Sequence, residues 1–345
     1  MKLSILELSL VKKDQTRSQA LANSIELAMY VETLGYYRMW VAEHHNTPYI
    51  AGRAPEVLIA AIASATTSIR VGSGAVLLNH YSPYKIAEVF CTLNELFPGR
   101  IDLGVGRAFN RPAIDFALQQ TRKKITKGNY KEQIDELLCW LGDDFPGEHP
   151  FASIGLHAGQ SHPELFVLGS SSGSAKMAGK KGVRYAYAGF LNHPETAYAV
   201  DSYKNSFKRS SDPYGIMPVV PIVCLQVVCA DTEAEVRRQL CPSYLLNHNL
   251  SAGKFSEPFL SPDEAFRHLG YLPEIEYYER GSRILPRIIA GTQGQVTEQL
   301  SALSLDLGVE EFMIQDVITD LAARRRSLEL MAPLCLSSPV NQGTY

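Results

Sequence analysis

The sequence is poor in cysteine patterning. Cys91, Cys139, Cys224, Cys229, Cys241 and Cys335 are scattered over 345 residues with no CxxC pair. That excludes zinc ribbons and disulfide frameworks and suits free thiols in a reducing compartment, so a cytoplasmic location is expected. Long apolar runs are missing too: nowhere do about 18 apolar residues follow one another, so no membrane span is expected. The apolar opening from Met1 to Leu8 is interrupted by Glu7 and has no small-residue cleavage site after it, which suits a strand rather than a signal peptide. Charge of one sign is also scarce. With 33 Lys+Arg against 36 Asp+Glu the formal net charge is −3, which offers no basic field to nucleic acid or an anionic membrane. Small molecules remain as the expected partners. A dinucleotide fingerprint is absent as well, because neither Gly72-Ser73-Gly74 nor Gly104-Val105-Gly106 has the third glycine and the distal acid that a Rossmann site needs.

What the sequence does have is a rhythm. Eight β-rich runs recur with helical segments between them: Leu3–Leu10, Tyr37–Ala42, Ile69–Leu78, Arg100–Gly106, Glu164–Gly169, Arg184–Gly189, Pro218–Ala230 and Glu311–Gln315. Ser82-Pro83 forms a helix start, followed by a stripe of Ile86, Val89, Phe90, Leu93 and Phe97. Pro55 opens a helix that is apolar all round from Val57 to Ile62, Ile134, Leu137, Leu138 and Leu141 stripe another, and Leu34-Gly35 ends the first with a left-handed glycine. Eight strand–helix repeats fit an α/β fold of the (β/α)8 TIM-barrel type, with long insertions after strands 4 (Arg107 to Pro163) and 7 (Asp231 to Glu310). The expected organisation is one barrel domain over 1–335 and a flexible tail over 336–345.

In a barrel the side chains at the carboxyl ends of the strands converge on one mouth. Here those ends carry Glu43-His44-His45-Asn46, Gly106-Arg107 and Gly169-Ser170-Ser171-Ser172-Gly173-Ser174. Consecutive residues on an extended segment point to opposite sides and the HExxH spacing is absent, so no metal site is expected. The histidines then serve either as structural hydrogen-bonding groups or as a general acid/base near a cofactor, and only His44 or His45 needs to face the mouth. The glycine–serine loop before a helix can cradle a phosphate with backbone N–H groups and hydroxyls, and Arg107 can add paired hydrogen bonds. The glycines of Gly72-Ser73-Gly74 permit either a tight bend or the close approach of a flat ligand. Phe255, Phe259, Phe266, Tyr271, Tyr277 and Tyr278 in the last insertion suit a substrate lid or a small satellite core.

Three motifs in register, Trp40-Val41-Ala42-Glu43-His44-His45-Asn46, Val71-Gly72-Ser73-Gly74-Ala75-Val76-Leu77-Leu78 and Phe97-Pro98-Gly99-Arg100-Ile101-Asp102-Leu103-Gly104-Val105-Gly106-Arg107, resemble the bacterial luciferase-like flavin monooxygenases. The likeness continues through Val167-Leu168-Gly169-Ser170-Ser171, Ala290-Gly291-Thr292-Gln293-Gly294-Gln295-Val296 and Arg324-Arg325-Arg326-Ser327-Leu328-Glu329-Leu330, and so spans nearly the whole chain. The resemblance implies a barrel that is usually a homodimer. It implies an enzyme that takes reduced FMN (FMNH2) from a separate flavin reductase and oxygenates a small organic substrate with O2 through a flavin C4a-peroxide. Under it, Arg107, Ser170, Ser171, Ser172, Gly173 and Ser174 grip the flavin phosphate. Ala75, preceded by Gly74, forms a non-proline cis peptide beneath the ring. His44 is the acid/base in a catalytic set with Glu43 and His45, oriented by Glu43 or Asn46. Gly106 stands where luciferase has a reactive cysteine, and Arg122 is the nearest candidate for a second phosphate arginine, so light emission is not implied. A related branch transfers hydride with F420, and the fold can also retain flavin without turnover; both remain open alternatives.

Overall fold

In a computed structural model of the chain, the described residues are 1–107, 112–118, 129–156, 161–207, 220–254 and 257–336. Arg122, Phe255 and the tail from 337 onward lie outside them. The strands are β1 (Lys2–Glu7), β2 (Arg38–Val41), β3 (Arg70–Ser73), β4 (Val76–Leu77), β5 (Ile101–Gly106), β6 (Glu164–Gly169), β7 (Arg184–Ala188), β8 (Ile222–Cys229), β9 (Ile288–Gly291) and β10 (Glu311–Gln315). All pairings are parallel, in the order β10-β1-β2-β3-β5-β6-β7-β8, and β8 pairs back onto β10 to close the ring. β4 continues the line of β3 against β5. The eight expected runs thus supply the eight staves of a closed (β/α)8 barrel, the run Ile69–Leu78 being split into two short strands.

β9 was not among the eight expected runs. It pairs with the upper half of β8, from Gln226↔Ile288 to Cys229↔Gly291, while β10 occupies the lower half, from Val223↔Phe312 to Gln226↔Gln315. A long β8 therefore has room for two partners in succession on one edge. The glycine–threonine step after β9 starts a helix through a Thr292 and Gln295 capping box.

The helices are α1 (Arg17–Thr33), α2 (Pro55–Ala65), α3 (Pro83–Leu96), α4 (Pro112–Leu118), α5 (Asn129–Gly142), α6 (Ser172–Lys180), α7 (Thr196–Ser206), α8 (Glu233–Ser251), α9 (Pro262–Leu269), α10 (Gln293–Leu307), α11 (Leu321–Met331) and α12 (Pro333–Leu336). They cover the outside of the sheet, where Ile59, Phe90, Leu137 and Leu300 join one continuous core with the outward residues of the strands. The expected faces hold for α3 and α5, and Gly35 takes φ +82° after α1. Ser82 precedes α3 without a side-chain cap bond. α2 is less buried than its composition suggests: Leu58, Ile59 and Ile62 pack inward, but Val57 is 67% exposed.

The lumen is layered because every second residue of a strand points inward. Its floor is ionic. Asp102, fully buried, accepts from Arg38 at 2.7 Å, Arg70 Nε at 3.0 Å and Trp40 Nε1 at 2.8 Å, while Arg38 also donates to Glu311 at 2.8 Å. Above it lies an apolar plug of Leu6, Trp40, Phe166, Ala186, Cys224 and Met313, with Trp40 edge-on to Phe166 at 4.9 Å. The close approach permitted by the β3 glycines is taken by this plug: a Cβ at Gly72 would lie 2.8 Å from Trp40 Nε1, and one at Gly74 2.6 Å from Leu6 Cδ1. The third layer, at the mouth, carries the chemistry.

Candidate active site

Glu43 organises one side of the mouth. It follows β2 on an extended segment, its residue 4% exposed, and its carboxylate accepts three bonds: from His45 Nε2 at 2.5 Å, from the Leu77 backbone N–H at 2.9 Å and from the Tyr81 hydroxyl at 2.6 Å. A buried carboxylate held by three donors is fixed in place. Burial and the Glu43 charge push the Tyr81 phenol well above its usual value, so Tyr81 stays a donor across the working pH range. His80 lies close by, its ring 6.3 Å from that of His45 and its Nε2 3.6 Å from Asp115 of α4. Burial lowers the His80 imidazole below its ordinary value and favours the neutral ring.

His44 has the opposite parity from Glu43 and His45. Continued from β2, that is the parity of Trp40 and Ala42, which belong to the inward cluster. Its backbone N–H donates to Gly52 O at 3.0 Å, which ties the segment to the loop before α2. The three Glu43 bonds run to His45, Leu77 and Tyr81, and Asn46 is exposed with φ +50°. Among the described residues no group of three metal-ligating side chains occurs.

On the next wall, the Gly74–Ala75 peptide is cis, at the junction of β3 and β4. Ala75 faces Gly106 of β5 closely enough that a Cβ on Gly106 would sit 3.0 Å from the Ala75 Cβ, so the wall there is flat. Arg107 follows immediately, exposed, with no hydrogen bond or ion pair among the described residues. Beside it β6 ends in Gly169, and Ser171 caps α6 by accepting from Ser174 N–H at 3.3 Å. The first N–H groups of a helix have no acceptor within it, so Ser172 and Gly173 present donors outward. Ser174 Oγ bonds Tyr185 OH at 2.8 Å and donates to Ser171 O at 2.7 Å, which fixes the loop. Tyr130 of α5 lies near enough to Arg107 that the guanidinium pulls against the burial that raises its phenol. Tyr81, in the turn before α3, Tyr130 of α5 and Tyr185 of β7 were not expected from the sequence, because the partner of each in the site is set by the closed ring.

Thus one barrel mouth brings together His44, a flat glycine–alanine wall and, beside a helix N-terminus, Arg107, which has no ion pair among the described residues, on an α/β barrel. The luciferase-like monooxygenase family matches residues 1–311, and the chain belongs to that family. The chain is 33% identical over 346 residues to N-acetyl-S-alkylcysteine monooxygenase of Bacillus subtilis (strain 168), covering 98% of this chain and 99% of the relative. It is 30% identical over 336 residues to a luciferase-like monooxygenase of Escherichia coli (strain K12), covering 95% of each. The crystal structure of apo-MsnO8 superposes with a TM-score of 0.87 at 36% identity, over 98% of this chain and 99% of that one.

Proposed function

We propose that the protein is an FMN-dependent monooxygenase that takes reduced FMN from a separate flavin reductase and uses O2 to oxygenate a small organic substrate. The observation that carries this reading is the meeting, at one mouth, of an anion grip and a proton-handling histidine. Arg107 has no hydrogen-bonded partner among the described residues and the α6 N-terminus presents free N–H groups, so a phosphate fits between them. Gly106 has no side chain and Ala75 only a methyl, which leaves a low wall against which a planar ring fits. When bound, reduced flavin supplies the electrons that activate O2. The protein's own part is to hold the phosphate through Arg107 and the Ser170 to Ser174 loop, and to close the lumen below with Trp40 and Phe166. His44 holds or delivers a proton at its imidazole, the side chain type suited to both roles. Glu43 and His45 fix the segment that carries it.

A homodimer in the cytoplasm belongs to the same reading, supported by Val57 of α2 and Leu96 of α3, left 67% and 64% exposed on neighbouring outer helices. No helix among the described residues is long and apolar enough to cross a membrane. The test is anaerobic titration of the protein with reduced FMN and, separately, reduced F420, followed by O2 and absorbance. Tight binding of reduced FMN with an O2-dependent flavin signal is expected. Preference for reduced F420 with no response to O2 moves the reading to hydride transfer. His44→Ala should keep flavin binding and lose substrate oxygenation; full activity in that variant removes the role.

A further inference from the structure

We propose that Gln226 of β8 and Gln315 of β10 form a paired carboxamide site that binds the substrate through a neutral secondary amide. These two residues are Cα partners in the β8–β10 register. Both have the inward parity: Cys224 and Met313, two residues earlier on each strand, lie in the lumen plug, whereas Leu225 and Ile314 between them pack in the outer core. The pair therefore stands directly above the plug, side by side, with Gln226 7% and Gln315 4% exposed. Gln315 Oε1 is buried and accepts no hydrogen bond. A buried acceptor left empty costs about 1–3 kcal/mol, so its presence in the lumen points to a donor that arrives with a ligand.

The position of the pair says which ligand. In the eight-strand ring β8 stands opposite β3, and β10 stands opposite β5. Those opposite strands carry Gly74–Ala75 and Gly106–Arg107. A molecule held against the carboxamides thus lies across the lumen from the wall assigned to the cofactor, with His44 of the β2 edge between them. In this placement, and only in this, the inference rests on the flavin reading. The charge of the lumen narrows the chemistry further. Its arginines sit in the floor, where Arg38 and Arg70 are paired with Asp102, Glu164 and Glu311. Among the described residues a substrate carboxylate at the glutamines would meet no cation on β8 or β10, and it would set its oxygens against Gln315 Oε1. An ammonium would need a carboxylate, and Glu43 is committed elsewhere. A secondary amide has one N–H for Gln315 Oε1 and one C=O for a carboxamide NH2, which matches the pair group for group.

The experiment uses two thioether probes that differ in one atom, 3-(benzylthio)-N-methylpropanamide and methyl 3-(benzylthio)propanoate, in which ester oxygen replaces the amide N–H. Each is titrated by calorimetry into protein saturated with oxidised FMN, so that binding is read without turnover, and into flavin-free protein. Wild type should bind the amide at least tenfold more tightly than the ester. Gln315→Leu should reduce that preference to twofold or less while leaving FMN affinity and the melting temperature unchanged, and Gln226→Leu should weaken the amide without reversing the preference. Equal affinities in wild type, as expected if water satisfies Oε1, overturn the proposal, and so does failure of both probes to bind. Failure of FMN to bind while the amide preference persists in flavin-free protein leaves the carboxamide site standing and sinks the flavin reading instead. Should Gln315→Leu not fold, the same preference is read in Gln315→Met, and an undiminished preference there overturns the role of Oε1.

Discussion

Replacing Asp102 by alanine tests whether the lumen floor is a single ionic unit. The wild-type carboxylate is fully buried and holds three donors from three side chains, Arg38 at 2.7 Å, Arg70 Nε at 3.0 Å and Trp40 Nε1 at 2.8 Å. Removing one partner of a buried ion pair costs about 3–5 kcal/mol, since the remaining charge stays out of water. Arg38 keeps Glu311 and Arg70 keeps Glu164, which holds the loss toward the lower end, but the Trp40 N–H is orphaned and adds about 1–3 kcal/mol. The net expectation is about 4 kcal/mol. Asp102→Asn keeps an acceptor and should lose about half as much. Burial pushes the Asp102 carboxyl up, but the Arg38 and Arg70 charges outweigh it and hold the group below its usual 3.8. Its folded-state pKa is therefore depressed, and its contribution is present at pH above about 4 and lost as pH falls below that value. Urea unfolding followed by circular dichroism and by tryptophan fluorescence, at neutral pH and at about pH 3, gives both the loss and its pH dependence, and coincident curves check two-state behaviour. A loss under about 1 kcal/mol for Asp102→Ala would refute the idea that the floor is a load of coupled charges.

Arg107→Ala should weaken FMN binding by about tenfold or more, the worth of charge-assisted hydrogen bonds to a phosphate, with no change in melting temperature, because the guanidinium makes no internal bond among the described residues; flavin fluorescence quenching reads this, and an unchanged Kd removes the contact. Glu32 is pushed up by burial, but the N–H groups of Thr67, Ser68 and Ile69 and the Ser68 hydroxyl outweigh that and lower it to about 2. The depressed value means its contribution is complete above about pH 4.5 and lost as pH falls toward 2, so Glu32→Gln should flatten the acid limb of the urea midpoint against pH, and an unaltered limb contradicts the assignment. Gly104→Ala should fail to give soluble barrel at all, as its Cβ would lie 2.0 Å from the Ser73 carbonyl oxygen and 2.9 Å from Leu168 Cδ1; recovery of a normally melting protein shows that β3 and β5 can separate at no cost.

The barrel was legible because each stave carries its own signal, a short β-rich run ended by glycine or a polar cluster, and periodicity is a local property. The parity of Glu43, His44 and His45 was legible for the same reason. β9 was not, since four residues within an insertion of little periodicity give no alternation to detect, and its existence depends on β8 outrunning β10. The exposure of Val57 escaped because an all-apolar helix shows no face by composition alone. The insertion aromatics divide between two fates: Tyr278 is buried and bonds Asp306 at 2.8 Å, while Phe266, Tyr271 and Tyr277 stay outside, 40%, 55% and 48% exposed. Nothing in their spacing separates them. The same limit hid the glutamines, whose adjacency is set by closure of the ring and not by anything near either residue in the chain.

These differences have a physical order. In the floor every charge is paired and in the middle layer every inward group is apolar or glycine, so both can be argued from stability alone. At the mouth the rules loosen in specific places: Arg107 has no counter-charge among the described residues, Gln315 Oε1 has no donor, and His80 is a buried ring with neither nitrogen hydrogen-bonded. The buried Gln315 Oε1 and His80 nitrogens cost free energy until a partner arrives, whereas the exposed Arg107 stands available to a ligand without that cost. Unmet buried groups also occur beside the floor, at Glu164 Oε2 and Arg184 Nε, so what marks the mouth as a site completed by its ligands is that such groups meet Arg107 and a helix N-terminus there. Because the floor and plug bear the stability and the mouth bears the unmet bonds, substitutions in the first should move melting temperature with little effect on specificity, and substitutions in the second should do the reverse.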